Sequence, residues 1–440
     1  MTSAESWCVI GGGVLGLTLA ARLAGSGRDV TLLEASDRLG GLADAWQVGE
    51  ITWDRHYHVT LLSDVHLRNL LTELGLHDDL QWGTTRTDFY TNGRFDPLNN
   101  AIDYLKFPPL GLIDKVRLAG TILYASRIED GRPLEKVPIA DWLTKLSGRR
   151  TYEVIWRPLL RAKLGENYRQ ASAAFIWAII RRLYAARRSG MKTEMFGYID
   201  GGYDRVFKRF AQVLGERGVN VRTSSPVRRI AAKDGRLVVE TALGPQEFDR
   251  VVVTTAAPLA ARICEGLSDD EKARLNGILY QGIICASVVL KRPLHQAYIT
   301  YIADDTVPYT AVIEMSALVD RDKQLGGNTL VYLPRYVKSD DPMFEASDAD
   351  IQTSFQAALL RMYPELKPDD IVAFKISRVR QVLAVSTLNY TDRLPPKMTS
   401  VPGLSIVNSA HIVNGTLNVN ETVKLAQDVL PQLLAASPGR

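Results

Sequence analysis

The chain has 440 residues, 46% of them hydrophobic, a net charge of +4 and three cysteines. That much apolar material suits two or three globular domains with large cores and excludes a disordered or low-complexity chain. No charged and apolar leader opens it, and the longest apolar run, Ala173 to Ile180, stops at Arg181-Arg182, short of a membrane span. A cytoplasmic chain is therefore expected. Cys8, Cys264 and Cys285 lie too far apart for a disulfide framework or a metal site, so core positions and no metal are expected for them.

The first element is the most telling. Val9-Ile10 runs into Gly11-Gly12-Gly13-Val14-Leu15-Gly16 and a small-residue segment ending at Ala24. The spacing predicts strand, tight turn and helix: Gly11 permits the turn, Gly13 lets a pyrophosphate approach the backbone, and Gly16 lets helix and strand pack. The helix N-terminus at Val14 and Leu15 then faces the phosphates. A second strand, Asp29 to Leu33, ends at Glu34, whose carboxylate can hold a ribose diol and repels the extra phosphate of an NADP-type ribose. FAD or NAD remains.

Further along, residues 76–199 read as helical, with apolar positions at helical spacing in Leu110 to Ile128, Ile139 to Leu146, Tyr152 to Leu164 and Ala171 to Arg188. Strand candidates follow at Val219 to Ile230, Arg236 to Thr241 and Arg250 to Thr255. Residues 271–394 read as antiparallel strands (Gly282 to Leu290, Ala297 to Ile302, Tyr309 to Met315, Thr329 to Leu333, Ile371 to Val379) interrupted by a helix, Asp348 to Met362. A last strand, Gly403 to Asn408, precedes a helix from Glu421 to Leu434, and Ser437 to Arg440 reads as a frayed tail.

The expected fold class is α/β, α+β overall. A Rossmann-like domain, discontinuous in sequence (1–75, 200–270 and 395–440), carries a substrate domain made of a helical part, 76–199, and an antiparallel-sheet part, 271–394.

Charge is unevenly distributed. Lys145 to Lys192 holds twelve Lys or Arg against Glu153 and Glu166, a net of +10 that leaves −6 for the rest of the chain. Such a field gathers anions, and since no nucleic-acid module occurs, a small anionic molecule is the expected partner rather than nucleic acid. Arg157, Arg161 and Lys163 are candidate holders of a phosphate or carboxylate, with a solvated helix face as the plain alternative. Phe175, Ile176, Trp177, Ile179, Ile180, Leu183 and Tyr184, beside Arg181, Arg182, Arg187 and Arg188, read as a core-facing helix. The alternative is an interfacial helix that docks peripherally on the inner membrane face and admits a lipid-linked substrate. Oligomeric state is not legible.

Ala35-Ser36-Asp37-Arg38-Leu39-Gly40-Gly41-Leu42 resembles the Arg-x-Gly-Gly segment of the FAD-dependent amine oxidase, protoporphyrinogen oxidase and phytoene desaturase superfamily. The resemblance implies FAD rather than NAD, with Ala35, Arg38, Gly40, Gly41 and Leu42 along the cofactor, although Leu42 stands where the family usually has Arg. Ser224 to Ile230 is similar to its adenine-side strand, which implies a backbone contact at Val227. Val251 to Pro258 is similar to its strand-to-Pro crossover, which implies Thr255, Ala256 and Pro258 at the cofactor. Ile406 to His411 and Asn418 to Val423 resemble its C-terminal flavin segment, which implies roles for Asn408, Ser409, Asn420, Glu421, Thr422 and Val423. His411 is within reach of the cofactor in that reading. No cysteine occurs in the segment, so the FAD is expected to be non-covalent.

Asp54-Arg55-His56-Tyr57-His58, Trp156 to Gly165 and Gly201-Gly202-Tyr203 resemble a bacterial protoporphyrinogen-oxidase-like subgroup, and the first also resembles the His-containing flavin loop of UDP-galactopyranose mutase. His58 and His56, two apart on a strand-like segment, are expected to point the same way, and either is a candidate flavin-side proton donor. Amine oxidases of the superfamily often carry a Lys on an early substrate-domain strand. Gly282 to Ser287 has none, which argues against simple amine oxidation. The resemblance thus implies an FAD-dependent oxidoreductase dehydrogenating an anionic, partly apolar substrate: an isoprenoid, a tetrapyrrole or a lipid-linked sugar. The alternatives are a mutase-like isomerase of a nucleotide sugar, an amine oxidase, and a non-catalytic prenyl-binding escort.

Overall fold

The computed structural model describes residues 4–99, 101–187, 195–413 and 415–435; Arg188 and the tail Ser437 to Arg440 lie outside the described residues. Ser6–Ile10 is the middle strand of a parallel sheet with the order Asn220–Arg222, Asp29–Leu33, Ser6–Ile10, Arg250–Val253, Leu404–Ile406. Val251, Val252 and Val253 are fully buried, as strands covered on both faces require. One face carries the helices Val14–Gly25, Val65–Glu73, Gly202–Glu216 and Val419–Ala435, packed around Trp7, Leu17, Phe210 and Val423. The other carries the antiparallel strands Arg229–Lys233, Arg236–Thr241 and Gly244–Phe248 and the helix Ala257–Ile263.

The single strand expected from Val219 to Ile230 is therefore two strands in different sheets. Between them Ser224 has φ +48° and Pro226 has no amide proton, while the amides of Ser224 and Ser225 bond to the carbonyls of Ser36 and Glu34.

A second sheet has the order Ile371–Ala384, Tyr280–Leu290, Thr329–Lys338, Ala311–Glu314, Ile299–Ile302, Thr87–Thr91, Arg94–Pro97. Its last two strands come from the stretch expected to be helical, and Thr87–Thr91 runs parallel to Ile299–Ile302. The hairpin is set by Asn92-Gly93, with φ values of +51° and +73°. The helix Asp348–Met362 forms where expected, its N-terminus capped by Ser347.

The helical layer consists of Leu112–Arg127, Ile139–Ser147, a π-turn at Tyr152–Trp156 leading into Arg157–Leu164, and Ala173–Arg187. Phe175, Ile176, Trp177 and Ile180 are all buried, and the Trp177 indole donates to the Ile128 carbonyl at 3.1 Å. The interfacial alternative for this helix is thereby overturned, because its apolar face is already core. No helix among the described residues is long and apolar enough to cross a membrane. All three cysteines are buried. Residues 55–59 are irregular rather than strand-like, so His56 and His58 are not set in one direction by a pleat.

Candidate functional site

The first strand ends in Gly11, at φ +110°, whose amide bonds to the Leu33 carbonyl at 2.8 Å. The helix then starts after Gly13 as its N-cap. A Cβ on Gly16 would lie 1.9 Å from the Gly11 carbonyl oxygen, so only glycine lets the helix cross the turn there.

Glu34 reaches back to this turn. Its carboxylate accepts from the Gly12 amide at 2.5 Å and from the Ser36 amide and hydroxyl at 2.8 Å each. The Arg38 to Leu42 segment then folds onto the same turn, with the Gly40 amide bonded to the Gly12 carbonyl at 2.8 Å. A Cβ on Gly41 would sit 3.1 Å from Gly13 Cα. Two glycine segments 27 residues apart in number thus lie backbone to backbone at a helix N-terminus, bare of side chains. Arg38 itself is paired with Asp44 at 3.2 Å and Asp204 at 2.7 Å, which braces the loop. Ala35 and Gly41 are exposed, and Leu42 is half-buried.

The neighbouring strand ends complete the groove. The Ser224 and Ser225 amides pair with the Glu34–Ser36 backbone and bring the half-buried Val227 to the Glu34 side. After Arg250–Val253, the Thr254 hydroxyl donates to the Ile10 carbonyl at 2.8 Å, whereas the buried Thr255 Oγ1 has no partner. Ala256 and Pro258 open the short helix beyond it. After Leu404–Ile406, Asn408 Oδ1 accepts from the Ala410 amide at 3.1 Å while its buried Nδ2 has no partner. Ser409, beside it, is half-buried. Leaving such a buried group unpaired costs about 1–3 kcal/mol, which a polar ligand would relieve. Both orphaned groups follow C-terminal strand ends, where open α/β sheets bind ligands. Exposed glycine backbone at a helix N-terminus, a carboxylate at the end of the second strand and unpaired polar groups at the adjoining strand ends fit an elongated dinucleotide.

The side chains of the C-terminal segment are engaged within the fold, and the N-terminus of the helix Val419–Ala435 lies in that segment. His411 does not reach toward a cofactor: Nε2 lies 3.1 Å from the Pro395 carbonyl, Nδ1 lies 3.2 Å from the Asn408 amide, and burial pulls the imidazole down to about 4. Asn420 Oδ1 accepts from the amides of His66 at 2.9 Å and Leu67 at 3.1 Å, capping the helix Val65–Glu73. Glu421 Oε1 accepts from Asn420 Nδ2, Thr422 Oγ1 donates to the Asn418 carbonyl, and Val423 is fully buried. These side chains are taken up by the fold.

The three subgroup motifs converge on one loop. Asp54 Oδ1 accepts from the Tyr203 amide at 2.7 Å, and His58 Nδ1 lies 3.6 Å from Asp54 Oδ2 with its ring edge-on to Tyr203. Burial raises the Asp54 carboxyl pKa, and His58 opposes the rise. His56 points elsewhere. Nδ1 lies 3.3 Å from the Leu42 carbonyl and Nε2 lies 3.2 Å from Ser377 Oγ; burial foremost, and the neighbouring His58 next, bring its pKa down to about 3. A neutral ring with the proton on Nδ1 satisfies both contacts, since a carbonyl can only accept.

Tyr57 OH lies 2.9 Å from Tyr336 OH, which accepts from Lys163 Nζ at 2.7 Å. The ammonium also sits 4.5 Å from the centroid of the Tyr336 ring. A lysine thus does reach the substrate-side sheet. It comes from the helix Arg157–Leu164 and meets Tyr336, which pairs with Ile283, instead of arising on Gly282 to Ser287. Arg161 is held by Glu166 at 3.0 Å and Asp305 at 2.8 Å, and Arg157 is exposed, so Lys163 alone of the three expected anion holders turns inward.

A cavity of about 730 Å³ is lined by Pro258, Leu279 and Leu388 together with Arg169, Gln381 and Arg393. Its wall residue Tyr280 accepts from the Ala257 amide at 3.2 Å, which places it beside the Thr255–Pro258 segment. Neither Arg169 nor Arg393 was singled out by motif. Arg169 lies in the basic stretch, and only the fold brings Arg393 to the same cavity.

These features define a flavin-dependent oxidoreductase, and the chain belongs to the family of flavin-containing amine oxidoreductases, whose model matches residues 16–418. Among its relatives, coproporphyrinogen III oxidase of Mycobacterium bovis is 27% identical over 368 residues, covering 78% of this chain and 79% of that protein. Among solved structures, a protein of Exiguobacterium sp. 255-15 provisionally assigned as a protoporphyrinogen oxidase matches with a TM-score of 0.78 at 20% identity, over 99% of this chain and 100% of the other. Reduced UDP-galactopyranose mutase matches with a TM-score of 0.76 at 16% identity, over 99% of this chain and 97% of the other.

Proposed function

We propose that the chain is an FAD-dependent dehydrogenase of an anionic, partly apolar substrate, a tetrapyrrole in the first instance. The observation that carries this reading is the glycine backbone of Gly13 and Gly41 at the helix N-terminus, held there by the close packing of Gly11, Gly16 and Gly40, with unpaired Thr255 Oγ1 and Asn408 Nδ2 at the adjoining strand ends. FAD when bound supplies the hydride acceptor. Glu34 holds the ribose diol, the Val14 helix end faces the pyrophosphate, and Val227 lies on the adenine side.

On the substrate side the protein binds and orients. The cavity's Leu279 and Leu388 suit an apolar body, and Arg169 and Arg393 suit carboxylates. Of the two histidines, His58 is the candidate polariser, because His56 is held neutral between two fixed partners. Lys163, seated on Tyr336 and Tyr57, adds a fixed positive charge near that loop. Support for the tetrapyrrole comes from the mycobacterial relative, named for coproporphyrinogen III. Residence in the cytoplasm fits the absence of a spanning helix among the described residues.

The test is anaerobic addition of porphyrinogens, prenyl phosphates, nucleotide sugars and amines to the FAD-loaded protein. Bleaching of the flavin by a porphyrinogen is the expected result. No bleaching by any of them overturns the dehydrogenase reading, and turnover of a nucleotide sugar only after chemical reduction, with no acceptor consumed, replaces it with the isomerase.

A further inference from the structure

Nine large apolar side chains are strongly exposed among the described residues, and five of them stand on one helix, Leu112–Arg127. Leu112, Ile113, Val116, Leu123 and Tyr124 are 71, 76, 65, 40 and 53% exposed. Their spacing, with exposed Ala119 and Gly120 between them, makes one continuous stripe along the helix. The opposite face is committed to the protein through buried Leu118, Thr121 and Ala125. Scattered exposed apolar residues need no explanation, but a stripe of this length does.

Cations border the stripe. Arg117 is exposed on the same helix and donates to the carbonyls of Lys145 and Leu146 at 3.4 Å each. Arg150, with a side chain 65% exposed, reaches the Pro109 carbonyl at 3.3 Å just ahead of the helix and approaches Asp114 at 3.7 Å. Arg149 beside it has a side chain 85% exposed and donates to Glu153 at 3.1 Å. Arg149 and Arg150 belong to the basic stretch that begins at Lys145, and Arg117 reaches the carbonyls at its start.

We propose that this face docks on an anionic lipid surface, with Leu112, Ile113 and Val116 entering the acyl boundary and Arg117, Arg149 and Arg150 meeting the headgroups. Anionic headgroups complement the cations along this border, whereas a second copy of the chain would offer the same positive charge, and light scattering in the test distinguishes that occupant. The inference is independent of the redox reading, since it involves none of the residues of the cofactor groove.

The test is co-sedimentation of the FAD-loaded full chain with phosphatidylcholine vesicles, alone or with about one third phosphatidylglycerol. The wild type is compared with Leu112→Ser/Ile113→Ser/Val116→Ser and with Arg117→Gln/Arg149→Gln/Arg150→Gln. Wild type is expected to bind the anionic vesicles, less so as salt rises, and each triple variant is expected to partition at least about tenfold more weakly. Unchanged flavin absorbance and melting temperature in the variants establish that the fold is intact. The proposal fails if wild type ignores anionic vesicles at low salt, or if the serine variant binds as wild type does. It fails equally if light scattering shows a wild-type dimer that the serine variant dissociates.

Discussion

Gly13 and Gly16 sit three residues apart in one turn, yet alanine should act on them in different states of the protein. At Gly13 a Cβ meets only Gly41 Cα, at 3.9 Å, and the backbone there has an ordinary φ of −75°. The apoprotein should therefore tolerate Gly13→Ala at a cost of about 1 kcal/mol or less, the difference between glycine and alanine at an N-cap. In the proposed cofactor groove the same methyl would stand where the pyrophosphate approaches the backbone. Loss of one charge-assisted hydrogen bond, about 1.5–3 kcal/mol, makes FAD binding roughly ten- to a hundredfold weaker. At Gly16 the methyl meets the Gly11 carbonyl at 1.9 Å, so the turn must open, at about 3 kcal/mol or more in the apoprotein itself. Titration of FAD into apoprotein, followed by flavin fluorescence, measures the first effect, and urea unfolding without FAD measures the second. If Gly13→Ala binds FAD like wild type, or destabilises the apoprotein as much as Gly16→Ala does, the groove has been misplaced.

Asn420→Ala removes the acceptor for two amides at the start of Val65–Glu73 and should lower stability by about 2 kcal/mol with FAD affinity little changed; an unfolding midpoint unmoved in urea would contradict the capping role. Glu34→Ala should weaken FAD about tenfold or more in calorimetry, and unaltered affinity would remove Glu34 from the ribose. His56 and His411 are held neutral by burial, at about 3 and about 4 against an ordinary 6.5. The unfolded chain therefore binds more protons below pH 6.5, so their contribution is full above that pH and is lost as pH falls toward 4, with a slope of up to about 1.4 kcal/mol per pH unit for each group. His411→Gln should reduce the proton uptake on unfolding near pH 5 by about one; unfolding curves across pH 4 to 7 with an unchanged slope would refute this.

The parallel core was legible because its strands are short β-branched runs bounded by glycine or proline, as at Arg250–Val253, and because Gly11 to Gly16 admits few other geometries. The strands Thr87–Thr91 and Arg94–Pro97 escaped notice although Asn92-Gly93 marks their turn, since such short strands within a helical stretch carry little periodicity of their own. The site was legible at backbone level and poorly legible at side-chain level. Asn420 and His411 lie in the matching segment, but the partners that occupy them, His66, Leu67 and Pro395, are distant or irregular in sequence. Lys163 was noticed for its charge, yet its seat on Tyr336 depends on the tertiary meeting of a helix and a strand 173 residues apart. The apolar stripe from Leu112 to Tyr124 looked like any core-facing helix, because periodicity shows that a helix has an apolar face and not whether anything covers it.

The central strand Ser6–Ile10 finds one neighbour at Asp29–Leu33 at once, but the other, Arg250–Val253, and the edge strand Leu404–Ile406 emerge from the ribosome much later. The sheet around the glycine turn therefore stays incomplete until those later strands exist, and the turn waits with a single parallel neighbour in place. Coenzyme capture is consequently a late event in folding, and cells starved of riboflavin should accumulate a slow-folding, chaperone-dependent form of the protein.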